Sequence, residues 1–175
     1  MRSWKFFCYL FIVISSTILF SCGSKKTPVK YSDLHSPKRE FRGAWIQTAW
    51  QERYRSMNSS QMKQYFTDML DKLKASGINA VIFQVRPQAD AFYFSQIEPW
   101  SAFLTGVQGK ALPDGFDPLA FLVEECHKRN MELHAWLNPY RVKLSENQTL
   151  IKDHLYYKEP HRFVKYGTQI FFDPG

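Results

Sequence analysis

Four polar residues stand where a plain hydrophobic strand would carry Val, Ile or Leu. Gln47, Gln84, Arg86 and Asn138 each fall at the carboxyl end of an apolar run. Amides donate and accept hydrogen bonds and a guanidinium donates through five N–H groups, so the set suits recognition of a polyhydroxyl ligand. The same groups also satisfy loop backbones, and both uses stay open for each residue. Aromatic residues make up 17% of the chain and gather in the same segments: Trp50, Phe92, Tyr93, Trp100, Phe103 and Tyr140. Rings in a concave site offer flat apolar faces to a ligand. Trp50, Trp100 and Tyr140 are read as cleft residues, and Phe92 and Phe103 as loop packing.

Carboxylates decide whether such a site could cut a glycosidic bond, because that reaction needs one acid and a second group as nucleophile or base. Asp90, Glu98, Asp114 and Asp173 lie in the segments that follow strands. Asp173 is the best placed, although Asp173-Pro174-Gly175 is also a turn sequence. Asp90 is the second catalytic candidate. No convincing pair emerges, since Asp117 reads as a helix cap and Glu132 opens a strand. His134, in mid-strand, reads as a core histidine. The five histidines lack metal-ligand spacing, so neither a metal nor another cofactor is expected.

The elements that would hold these residues alternate. Phe41–Gln47, Asn79–Val85, Met131–Leu137 and Thr168–Phe172 are strand candidates. Met62, Tyr65, Phe66, Met69, Leu70 and Leu73 form an apolar stripe of 3.6-residue period, which predicts a helix over Ser60–Ser76. Asn58 or Ser59 can cap it, and Gly77 can end it. A second helix starts at Asp117-Pro118 and stops near Asn130, and a further helical stretch is expected around Leu150–Tyr156. Strand–helix repetition implies a parallel sheet. Helix-to-strand turns are tight and strand-to-helix connections long, as in barrels whose working loops follow the strands. No glycine-rich phosphate loop follows the first strand, so a (β/α)8 TIM-barrel type is favoured over a doubly wound sheet, with the first four or so β/α units present.

Ahead of this domain, Arg2 and Lys5 precede the apolar run Phe6–Phe20. The run is shorter than the about 20 residues a membrane-spanning helix needs and suits a signal peptide. Leu19-Phe20-Ser21-Cys22 resembles a lipobox, giving a leader over 1–21 and a lipid-bearing Cys22. Residues 22–39 read as a tether, rich in Ser, Lys and Pro. The protein is thus expected in the bacterial cell envelope, anchored to a membrane through Cys22. The formal charge of +7 is spread among acids with no dense basic run, which argues against nucleic-acid binding. Cys126 reads as a buried, inert thiol.

The segments RGAWI (42–46), INAVIFQVRPQADAFY (78–93), EPWSAFLTG (98–106), FDPLAFLVEECHKRNMELHAWLNPYR (116–141) and FFDPG (171–175) resemble the glycosyl hydrolase-like 10 domain family. The likeness runs from about residue 40 to 175, and the ordered set QVRP, EPWS, NPYR is what makes it specific. It implies a (β/α)8 barrel and hydrolysis of polysaccharide, the glycan strands of peptidoglycan or a related glycan. It also implies that Gln84, Arg86 and Asp90 line a cleft with Trp100, Asn138, Tyr140 and Arg141 beside them. The family domain continues beyond the Asp-Pro-Gly with an Asp-rich strand. The chain is therefore expected to be part of a longer frame, half a barrel with unpaired edges on its first and fourth strands. A non-catalytic glycan-binding lipoprotein is the alternative.

Overall fold

The computed structural model describes residues 40–175, so the leader over 1–21, Cys22 and the tether lie outside the described residues. The elements in chain order are β1 (Gly43–Ile46), α1 (Glu52–Ser56), α2 (Ser59–Ala75), β2 (Ala80–Arg86), α3 (Ala102–Thr105), α4 (Pro118–Lys128), β3 (Glu132–Leu137), β4 (Arg141–Lys143), α5 (Leu155–Lys158), β5 (Phe163–Tyr166) and β6 (Gln169–Phe172). None of the helices among the described residues is long and apolar enough to cross a membrane.

The longest helix begins where its sequence says it should. The Asn58 side chain accepts from the Gln61 amide at 2.9 Å, and the Gln61 side chain accepts from the Asn58 amide at 3.0 Å. This capping box satisfies two amides that the helix cannot. Its C-terminal turn passes through Gly77 at φ 80, left-handed geometry that glycine adopts without a Cβ penalty. Asn58→Ala is expected to lower stability by about 1 kcal/mol, read as a shift in the urea midpoint at unchanged slope.

Strands β1, β2 and β3 form a parallel sheet in that spatial order, with Trp45, Ile82 and His134 in register across it. One face carries Val81, Phe83 and Val85 from β2 into a core shared with Met62, Phe66 and Leu70 of α2 and Leu122 and Cys126 of α4. All seven residues of β2 are buried, in keeping with an apolar run that only Gln84 and Arg86 interrupt. Burying each such large side chain contributes about 1.5–3 kcal/mol. Cys126 is wholly buried and its thiol is pushed up to about 11 by that burial, so it is an unreactive core residue. Arg129 joins the two helices from outside, bonding Asp71 at 2.7 Å and Glu125 at 2.5 Å.

The other face of the sheet is open among the described residues. Trp45 is 68% exposed and meets Trp136 edge-on at 5.0 Å, and Phe41 meets His134 in the same way at 5.3 Å. His134, expected in the core, is instead half exposed and bonded to Glu132 at 2.9 Å, because nothing covers this face here.

The fourth strand corrects the sequence reading. Thr168–Phe172 was expected to extend the parallel sheet, but β6 pairs antiparallel with both β4 and β5 in a separate three-stranded sheet. The described residues therefore form a mixed α/β fold with three parallel strands rather than four. The helix expected around Leu150–Tyr156 is the single turn α5. The small sheet has its own core of Ala89, Val142, Leu150 and Ile170, with Tyr156, Phe163 and Phe172 packed against it.

Candidate functional site

The carboxyl ends of β1, β2 and β3 bring the polar residues together, and the structure gives several of them work inside the protein. Gln84 is 2% exposed. Its Oε1 accepts from the amides of Thr48 and Ala49, both at 3.0 Å, and the Thr48 hydroxyl donates to the Gln84 carbonyl at 2.9 Å. Gln84 thus fixes the loop that leaves β1. Asn138 is likewise engaged: its Nδ2 donates to the Pro87 carbonyl at 2.9 Å, and its Oδ1 accepts from Trp136 Nε1 at 3.0 Å.

Arg86 holds the centre. Its Nε donates to both oxygens of Glu98 at 2.8 and 2.7 Å, and Nη2 adds a further bond to Glu98. Nη1 donates to the carbonyls of Asn138 at 2.5 Å and Pro139 at 3.1 Å. The guanidinium lies 5.6 Å from the ring centre of Phe172, so one side chain ties β2, the loop after it, the end of β3 and the small sheet. Glu98 is accordingly a counter-ion and not an available acid.

Asp90 is fully buried. Burial pushes its carboxyl up to about 7, while Ser101, Gln108 and the amides of Ala102 and Gln88 pull the other way. Its Oδ2 lies 3.5 Å from Gln108 Nε2, whereas Oδ1 and the neighbouring Gln88 Oε1 are buried oxygens without a hydrogen-bond partner. Asp173 is exposed. Its Oδ1 accepts from the Gly175 amide at 3.1 Å, so the Asp-Pro-Gly turn forms while the carboxylate faces solvent. Asp114 caps a loop through Ser59, whose hydrogen bond is the main cause holding its carboxyl below the usual range.

The remaining candidates are available. Trp50 is 53% exposed and tilts against Phe103 at 5.6 Å. Its φ of 56 is a left-handed conformation uncommon for a bulky residue, of the kind that gathers at functional sites. Tyr140 is half exposed, and the Arg141 guanidinium makes no ion pair or hydrogen bond among the described residues. Gln47 is exposed and donates to the Ala49 carbonyl at 3.0 Å. Trp100, expected in a cleft, is half buried against the main core, to which the fully buried Phe92 belongs.

Two positioning groups carried no sequence signal. His154 is buried, with Nε2 2.9 Å from the Ala89 carbonyl and Nδ1 accepting from the Tyr156 amide at 3.0 Å. Gln108 accepts from the Ile151 amide at 3.1 Å while reaching Asp90. Together with the Ala89 amide, which bonds Arg141 at 2.9 Å, they clamp the small sheet onto the loop after β2.

Exposed Trp50 follows the first strand of the parallel sheet, while Arg141 and the outward carboxylate of Asp173 come from the small antiparallel sheet beside it, an arrangement that suits a glycoside hydrolase-like protein. The chain belongs to the glycosyl hydrolase-like 10 family, whose model matches residues 40–175. It is 44% identical over 143 residues to glycosyl hydrolase YngK of Bacillus subtilis, covering 78% of this chain and 28% of that protein. It is 32% identical over 162 residues to glycosyl hydrolase DigH of Escherichia coli K12, covering 81% of this chain and 36% of that protein. The chain thus spans no more than 36% of the length of these relatives. Among solved structures, an α-galactosidase from Thermus thermophilus in complex with stachyose aligns with a TM-score of 0.42 at 13% identity, covering 78% of this chain and 26% of that one.

Proposed function

We propose that this protein is an envelope-anchored glycoside hydrolase acting on bacterial cell-wall polysaccharide, the glycan strand of peptidoglycan or a related glycan. In this reading the leader over 1–21 directs export, Cys22 carries the lipid anchor, and the tether to residue 39 lets the domain reach its substrate. The observation that carries it is the set of accessible groups near the strand ends, Gln47, Trp50, Tyr140 and Arg141, in a chain of this family. Trp50 and Tyr140 offer apolar faces to sugar rings, and Arg141 and Gln47 bind hydroxyls. Asp173 is the carboxylate that substrate can reach. Asp90 acts behind it as a positioning residue, because its side chain is enclosed.

The test is release of reducing ends from purified, peptide-free glycan strands. Trp50→Ala and Arg141→Ala are each expected to lower release about tenfold or more with unchanged thermal midpoint, as loss of one good ligand contact does. The enclosure of Asp90 favours one second reading, a glycan-binding lipoprotein without catalysis. Strand binding without new reducing ends would select it, and absence of both binding and cleavage would overturn the proposal.

A further inference from the structure

We infer that the cavity under the small antiparallel sheet is a subsite for an acidic sugar, a saccharide that carries a carboxylate. The cavity, of about 390 Å3, is lined by Lys143, Glu146, Tyr156, Phe163 and Lys165 among others. That volume lies within the range of small-ligand sites.

The argument starts from Lys143, which is only 6% exposed. Lysines are almost never buried to this degree without a paired carboxylate, because an enclosed charge is costly. Lys143 has none among the described residues. One ammonium proton goes to the Glu146 backbone carbonyl at 2.6 Å, and the ammonium lies 5.2 Å from the ring centre of Tyr156. An ammonium has three donors. The Glu146 carboxylate, the one acid in the lining, is bound instead to Lys165 at the more exposed side. The cavity therefore holds two ammonium groups against one carboxylate. A ligand carboxylate would complete the pairing. The rings of Tyr156 and Phe163, 5.3 Å apart, provide an apolar wall for the carbon skeleton that bears it.

The position suits a glycan that continues past the strand ends. The sheet over the cavity is clamped to the Asp90 loop through Ala89, and Phe172, 4.7 Å from Phe163, lies beneath Arg86. That the ligand is a sugar rests on the function proposed above; that it is anionic rests on Lys143 and Lys165.

The experiment titrates the whole protein with glucuronate and with its neutral methyl ester at low salt, by calorimetry. Glucuronate is expected to bind about tenfold more tightly, the size of one charge-assisted contact, and Lys143→Met is expected to abolish the difference. Because Lys143 is enclosed, Glu146→Gln provides a second variant. It keeps the backbone carbonyl, frees Lys165, and is expected to tighten glucuronate binding several-fold. Equal affinity for acid and ester in the wild type, or no response to Glu146→Gln, overturns the inference. Reducing-end release separates the two readings. Glucuronate binding without hydrolysis of any strand leaves this subsite standing and removes the hydrolase. Equal hydrolysis of acidic strands and their carboxyl-reduced forms does the reverse.

Discussion

Replacing Arg86 by methionine is expected to cost the fold about 3–5 kcal/mol, the usual result of leaving a buried charge without its partner. The stranded group would be Glu98, whose side chain is 17% exposed and bonded to Arg86 through both oxygens. Two strand-end carbonyls, of Asn138 and Pro139, would lose their donor as well. Glu98→Gln should be costly for the same reason. The double variant Arg86→Met with Glu98→Gln should lose less than the sum of the two, with a coupling of about 0.5–3 kcal/mol. Urea denaturation of the four proteins measures this directly. The outcome also discriminates between roles. A substrate-binding arginine would leave the urea midpoint unchanged and weaken glycan binding, as the family resemblance implies. A framework arginine does the opposite.

Asp90→Asn is expected to abolish a pH dependence of stability that the native residue imposes. The carboxyl rises from 3.8 to about 7 on folding because burial disfavours its charged form. Between those values the folded protein binds more protons than the unfolded chain, so stability falls as pH rises through the window. The contribution is fully present below about pH 4 and gone above about pH 7, with a full span of about 4 kcal/mol at 1.36 kcal/mol per pKa unit. Asparagine carries no charge, so its enclosure above pH 7 avoids the cost of a buried carboxylate. The variant should therefore be the more stable protein at pH 8. His154 acts in the opposite direction, since burial lowers its pKa and stability is lost as pH falls below about 6.5. It is present in both proteins, so the difference between their thermal midpoints across pH 4–8 isolates Asp90. A flat difference curve would mean that Asp90 ionises freely and is not enclosed.

Local chemistry was the legible part of this chain. The Asn58 and Gln61 box, Gly77 after the helix, and Asp117-Pro118 at the start of the next one are all complete within a few residues. The near-continuous apolar run of β2 likewise announces a buried central strand. What a strand pairs with is not local. Gln169–Phe172 reads as a strand, yet its direction depends on Arg141–Lys143 and Phe163–Tyr166, pieces too short to show a period. The site divides in the same way. Residue type marked Gln84, Arg86 and Asn138 as hydrogen-bonding groups at strand ends. Whether a sugar or a backbone receives those bonds was settled by Thr48, Glu98 and Pro87, up to 51 residues away in sequence. Trp50, Tyr140 and Arg141 stayed accessible because no such partner reaches them among the described residues.

The bond from Gln84 to the loop after β1 has a consequence for how such a protein can diversify. Gln84 Oε1 grips the amides of residues 48 and 49, groups that every amino acid except proline possesses. Trp50, beside them, is exposed and takes no part in that grip, whereas Gln47 adds its own bond to the Ala49 carbonyl. Position 50 can therefore be exchanged for residues that accept a left-handed backbone while the loop keeps its place, and the template for that exchange lies on the neighbouring strand.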